Sequence, residues 1–118
     1  MKKATLQIPL PVSTVSPNNV SSPVDLMSAH PAAPIWLQFD GTFVGAYKPE
    51  VSVDGGTTWV DATKLFTDVV AQTVLAADVS TDAAIMTKSN LPLLRFRCTA
   101  YTSGTPVVNA QYTDSRSN

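Results

Sequence analysis

The chain has 118 residues, one domain's worth, and 44% of them are apolar, enough to bury a core without metal or disulfide staples. Only 14% are charged, and eight Lys or Arg against nine Asp or Glu leave a net charge of −1, which gives no basic face for nucleic acid or an anionic membrane. Nine prolines, a single Glu and many Ser, Thr and Val argue against a helical protein, and the lone Cys98 excludes an internal disulfide framework.

Met1-Lys2-Lys3 precedes "ATLQIPLPV", which is too short and too broken by Pro9 and Pro11 for a secretory signal. No apolar run approaches membrane-spanning length, so folding in a cytosol is expected. Leu6, Ile8 and Leu10 alternate with Gln7 and Pro9, a strand period of two. The prolines lack the amide a central strand must donate, so residues 1–23 read as an edge strand or an extended arm. Such an arm is either a loose terminus or a tether that docks on a neighbouring subunit, and three alternating apolar residues need burial somewhere.

Residues 24–118 read as the folded domain. Val24 and Leu26 share one face of a short strand. "HPAAP" then breaks the chain, and His30, the only histidine, reads as a solvated loop residue. In "IWLQFD" the residues Ile35, Leu37 and Phe39 face one way, and Trp36, Gln38 and Asp40 the other. A turn at Asp40-Gly41 leads to a long strand with Tyr47, Pro49, Val51 and Val53 in phase. Residues 64–90 are less regular. Leu65, Phe66, Val69 and Val70 also fit a helical face, but the β-branched content favours short strands near 72–76 and 83–88. At the C-terminal end Leu94, Phe96, Cys98 and Ala100 share one face and Arg95, Arg97, Thr99 and Tyr101 the other, before a Ser103-Gly104-Thr105 reversal. Strands of this length at this spacing predict an all-β antiparallel β-sandwich, immunoglobulin-like or jelly-roll.

The most patterned stretch is "VSVDGGTTWVDAT". Ser52, Asp54, Gly56, Thr58 and Trp59 spell S-x-D-x-G-x-T-W, which resembles the hairpin motif of sialidase-like propellers. It occurs once, and a propeller needs four or more blades, so the resemblance implies no sialidase. Asp54 can accept hydrogen bonds from amides a few residues on, and Gly55 and Gly56 tolerate positive φ. The Trp59 ring can cover the hairpin it has just left. Every motif residue thus has a structural task.

No reactive constellation stands out. No G-x-S-x-G elbow is present, and Cys98 lies on an apolar strand face. Asp40, Asp54 and Asp61 are loop aspartates, but their spacing fits no calcium loop. No metal or cofactor is expected. Two features suggest binding instead. Arg95, Arg97 and Tyr101 project from one strand face and could meet an acidic partner. Trp36 and Tyr47 could stack on sugar rings or form an interface.

"FDGTFVGAYKPEVSVDGGTTWVDA", followed by "LLRFRCTAYTSGTPVVNA", resembles a family of small structural proteins of tailed bacteriophages. Gly41 to Phe43, Gly45, Ser52 to Trp59 and Arg95 to Thr105 carry the likeness, which spans residues 24–112. Phe96 and Cys98 depart from the valines commoner there. The resemblance implies a β-sandwich virion protein without enzymatic activity, most simply a capsid decoration or cement protein assembled in the bacterial host cytoplasm. Its expected partners are the major capsid protein or other virion proteins and copies of itself, as a dimer or trimer. Expected contacts are Leu6, Ile8, Leu10, Trp36, Tyr47, Arg95, Arg97 and Tyr101. The alternative is a carbohydrate-binding module of a tail or fibre, with a glycan as ligand.

Overall fold

Strict alternation between Ile35 and Asp40 produces a strand with Ile35, Leu37 and Phe39 buried and Trp36, Gln38 and Asp40 exposed. The same rule builds the rest of the protein. The computed structural model describes residues 2–29, 33–75, 78–79, 83–87 and 91–114, and His30 lies outside them. Its strands are β1 (Lys2–Pro9), β2 (Val24–Leu26), β3 (Ile35–Asp40), β4 (Phe43–Ser52) and β5 (Val60–Asp61), then β6 (Thr67–Asp68), β7 (Thr73–Val74), β8 (Ala84–Thr87), β9 (Leu91–Gly104) and β10 (Val107–Asp114). A single 3-10 turn, Thr63–Leu65, is the only helical element among the described residues. The helical face that Leu65, Phe66, Val69 and Val70 could have formed is therefore absent. Phe66 is instead fully buried just ahead of β6. The expected ends at residues 76 and 88 lie outside the described residues.

Two antiparallel sheets face each other, one in the order β1-β10-β3-β8-β6-β7 and the other in the order β2-β9-β4-β5. With the β6–β7 hairpin set aside, the remaining strands pair first with last, second with next-to-last, and so on inward. The pairs are β1 with β10, β2 with β9, β3 with β8 and β4 with β5. That nesting is a long hairpin rolled into a sandwich, so of the two expected variants the fold is the jelly roll. The β6–β7 hairpin is an insertion between β5 and β8 that widens the six-stranded sheet beyond β8.

The core fills the gap between the sheets. Phe39 meets Phe96 edge-on at 5.3 Å between ring centroids, and Tyr47 lies 5.8 Å from Phe43 and 6.5 Å from Phe39. Such pairs add about 0.5–1.5 kcal/mol each beyond the area they bury. Ile8, Leu37, Ile85 and Val108 close the core from the six-stranded side, and Leu26, Leu91 and Leu94 from the other.

Three expected contact residues belong to this core. Ile8 and Leu10 are buried and Leu6 packs against the same cluster, because β1 pairs along its whole length with β10 as an edge strand. The chain continues along β9, where the Ser21 amide donates to the Phe96 carbonyl and the Cys98 amide to the Asn19 carbonyl. The N-terminal segment thus joins both sheets, and Leu6, Ile8 and Leu10 are spent inside this chain rather than on a neighbour, while Val12 and Val15 stay exposed.

The alternation of β9 holds through Cys98 and then slips. Ala46 pairs with Ala100 while Tyr47 pairs with Cys98, so Thr99 is an extra, bulged residue, and Thr102 repeats the pattern. The bulge turns Ala100 outward, against expectation, and swings Tyr101 partly inward, where its hydroxyl donates to the Gly104 carbonyl at 2.7 Å. The Ser103-Gly104-Thr105 stretch is not the expected hairpin, because β9 and β10 lie in different sheets; Gly104, at φ +98°, ends β9 where the chain crosses between them. A Cβ there would collide with the Thr42 carbonyl oxygen, so no other residue fits this corner.

Candidate functional site

The hairpin after β4 is built from the motif itself. Ser52 Oγ donates to Asp54 Oδ1 at 2.8 Å and accepts the Gly56 amide at 2.9 Å. Asp54 Oδ1 also accepts the amides of Thr57 at 3.1 Å and Thr58 at 2.9 Å. These bonds, the Thr58 amide foremost, hold the Asp54 carboxyl down at about 2. Gly55 and Gly56 take φ of +79° and +96°, and the Trp59 indole N–H donates to the Gly56 carbonyl at 3.0 Å. The Ser52 hydroxyl, Asp54 Oδ1 and the Trp59 indole N–H are all committed to the turn.

The outer face of the four-stranded sheet carries the arginines. Glu50 stands on β4 directly opposite Arg95 on β9 and diagonal to Arg97. Arg95 Nε donates to Glu50 Oε1 at 2.9 Å and Arg97 Nε to Oε2 at 2.8 Å, with the Glu50 side chain only 8% exposed. Burial pushes the Glu50 carboxyl up, but the hydrogen bonds from Arg97 and Arg95, with their charges, outweigh it and hold the group below its usual value. The Arg95 guanidinium also lies 4.2 Å over the Trp59 ring. Beside this cluster Lys48 Nζ is 3.8 Å from Asp61. The two arginines are therefore not a free patch for an acidic partner, because Glu50 of the same chain already occupies them. Glu50 was missed in the sequence. Its signal is that it is the sole Glu of the chain and lies out of phase with Tyr47.

Tyr47, expected as a surface aromatic, is fully buried. It shares the inward phase of Phe43, and its hydroxyl donates to the Pro11 carbonyl at 2.6 Å, so the ring is buried with its polar tip satisfied. Burial, with the Cys98 thiol beside it, raises the Tyr47 phenol far above its ordinary value. Cys98 is itself buried, with its thiol directed at the Ala100 carbonyl.

The outer face of the six-stranded sheet is different. Antiparallel register places Gln7, Asn109, Gln38 and Ala84 in one row across β1, β10, β3 and β8. The adjacent row is Thr5, Gln111, Trp36 and Met86. All of these but Met86 line a groove of about 560 Å³, bordered by Val69 beyond β8. Trp36 is 42% exposed at its centre. Gln7 donates to Asn109 Oδ1 at 3.2 Å, and Asn109 donates to Asp40 Oδ2 at 3.4 Å. Gln38, Gln111 and the Trp36 indole make no side-chain hydrogen bond among the described residues, so their donors and acceptors face solvent. Of the expected contacts, this face keeps Trp36. Gln7 and Gln38 were placed on outward faces but not offered as contacts, and Asn109 and Gln111 went unremarked, although all four sit at period two beside buried neighbours.

Among the described residues no three His, Cys, Asp or Glu side chains converge as a metal site would require. Asp40, Asp54 and Asp61 serve separate turns, Asp61 accepting the amide of Thr63 and Asp40 that of Gly41. No known protein family and no curated protein matches this chain.

Proposed function

We propose that the chain is a non-enzymatic structural protein of a tailed-bacteriophage particle, which decorates or cements the capsid by binding the major capsid protein and copies of itself. The observation that carries it is the nested, rolled-up sandwich, an architecture shared by viral capsid and lectin domains, found together with the phage-like motifs at Gly41–Phe43, Ser52–Trp59 and Arg95–Thr105. The hairpin motif serves its own turn, which suits a rigid block that adheres. Attachment falls on residues other than Leu6, Ile8 and Leu10, which the core has taken up. Val53 lies within the motif hairpin and Val60 directly after it, and Val70 and Val74 lie on the inserted β6–β7 hairpin, between 58% and 87% exposed. Symmetric repetition of small contacts of this kind yields tight collective binding. Density-gradient-purified particles of the phage that encodes the chain are expected to carry it in many copies at symmetric capsid positions, visible by cryo-electron microscopy. Particles that contain none of it overturn the proposal.

A further inference from the structure

We infer that the groove on the outer face of the six-stranded sheet is a binding site for a neutral oligosaccharide, with Trp36 as the stacking platform and Gln7, Gln38, Asn109 and Gln111 as the hydroxyl-reading groups. The inference rests on the chemistry of the groove and does not depend on the virion assignment.

A sugar ring has an apolar face of C–H bonds and an edge of hydroxyls that both donate and accept. Its face suits the electron-rich face of an indole that has nothing over it. Trp36 is such a ring. It is half-exposed in the middle of the sheet and carries no cation, whereas Trp59 on the other sheet is already covered by Arg95. A carboxamide holds a donor and an acceptor side by side, so one Gln or Asn can pair with two neighbouring hydroxyls. Four amides surround Trp36 in two rows, and Gln38 and Gln111 have their full capacity free. Asn109 is pre-oriented by the Gln7 to Asn109 to Asp40 chain of hydrogen bonds, which fixes its carbonyl toward β1 and its amide toward β3.

Charge narrows the ligand class. Among the described residues, no Lys, Arg, Asp or Glu lines the groove. A nucleic acid strand could stack on Trp36, but its phosphates would find no cation. An anionic sugar meets the same objection, and a neutral glycan does not. A peptide adding a strand would use a sheet edge, whereas this groove lies across the middle of the face. Apart from Trp36 itself, the exposed large apolar residues, Val53, Val70 and Val74 among them, lie outside the groove lining, so a single ring flanked by amides stands at its centre rather than a broad apolar patch. Its volume of about 560 Å³ falls within the ~300–1,000 Å³ of small-ligand sites. β-strands rather than loops carry the polar groups, so the site is formed before the ligand arrives.

The test is an NMR titration of the full chain, isotopically labelled, with maltotriose, cellotriose, xylotriose and chitotriose, and with sialyllactose as the anionic arm, each to about 10 mM. The expected result is saturable shifts with at least one neutral sugar, confined to the Trp36 indole and the side-chain amides of Gln7, Gln38, Asn109 and Gln111. Trp36→Ala is expected to weaken that binding about tenfold or more, and Gln38→Ala by a smaller factor, with both spectra otherwise native. Trp59→Phe, on the opposite sheet, is expected to leave it unchanged. The inference is overturned if no neutral sugar shifts these groups, if sialyllactose alone does so, or if a natively folded Trp36→Ala variant binds as well as the parent.

Discussion

Each sheet of this jelly roll presents one tryptophan on its outer side, and the two have opposite fates. On the four-stranded sheet, register sets Glu50 against Arg95 and Arg97, and Arg95 then covers Trp59, whose indole N–H is tied to the Gly56 carbonyl. On the six-stranded sheet, register sets Trp36 between Gln111 and Met86 with the other amides alongside, and the ring stays 42% exposed with no cation over it among the described residues. The composition of the two faces is not what separates them, since both are polar with one aromatic. Whether the polar groups find partners within the chain decides which face is sealed and which is open to a ligand.

Removing the centre of the sealed face should have the largest effect. Glu50→Ala leaves Arg95 and Arg97 facing each other without their carboxylate. Their partial access to water reduces the penalty, so urea unfolding is expected to show a loss of about 2 kcal/mol. Trp59→Ala removes the ring beneath Arg95 and is expected to cost about 1 kcal/mol by the same measurement. On the open face, Trp36→Ala and Gln38→Ala are expected to stay within about 0.5 kcal/mol of the parent. A Trp36→Ala loss as large as that of Glu50→Ala would erase the distinction between the faces.

Acid sharpens the same comparison. Asp54 and Glu50 both have folded-state pKa values below their ordinary ones. A depressed carboxyl contributes stability that is fully present above its unfolded value and is lost as pH falls through the folded one. For Asp54 that window runs from 3.8 down to about 2. Stability should therefore fall as pH drops below about 4. The fall should be shallower in Asp54→Asn, whose side chain has no proton to gain. Denaturant midpoints across that range check this, and an unchanged acid slope in Asp54→Asn would mean the carboxylate does not hold the turn.

The open face and the core were largely legible residue by residue. The alternation at Ile35–Asp40 placed Trp36 outside and Phe39 inside correctly, and the Ser52–Trp59 spelling gave its turn. What could not be read was anything that depends on which strand lies beside which. Glu50 meets Arg95 across 45 positions of chain, and the amides of β1, β3 and β10 converge only through the nested pairing. The same pairing drew Leu6, Ile8 and Leu10 into the core rather than onto a neighbour. The bulge at Thr99 has no sequence mark, so the inward phase of β9 could not be followed past Cys98. Tyr47 was offered as a surface ring although it stands in phase with Pro49 and Val51, and the contact that lets it stay buried, its hydroxyl on the Pro11 carbonyl, spans 36 positions of chain.

Hydrogen exchange at the two indole N–H groups, followed by NMR on the intact chain, tests the sealed-versus-open distinction most directly. The Trp59 proton, bonded to the Gly56 carbonyl beneath Arg95, should exchange markedly more slowly than the Trp36 proton, which faces solvent. Equal rates, or slower exchange at Trp36, would contradict the assignment of one sealed and one open face.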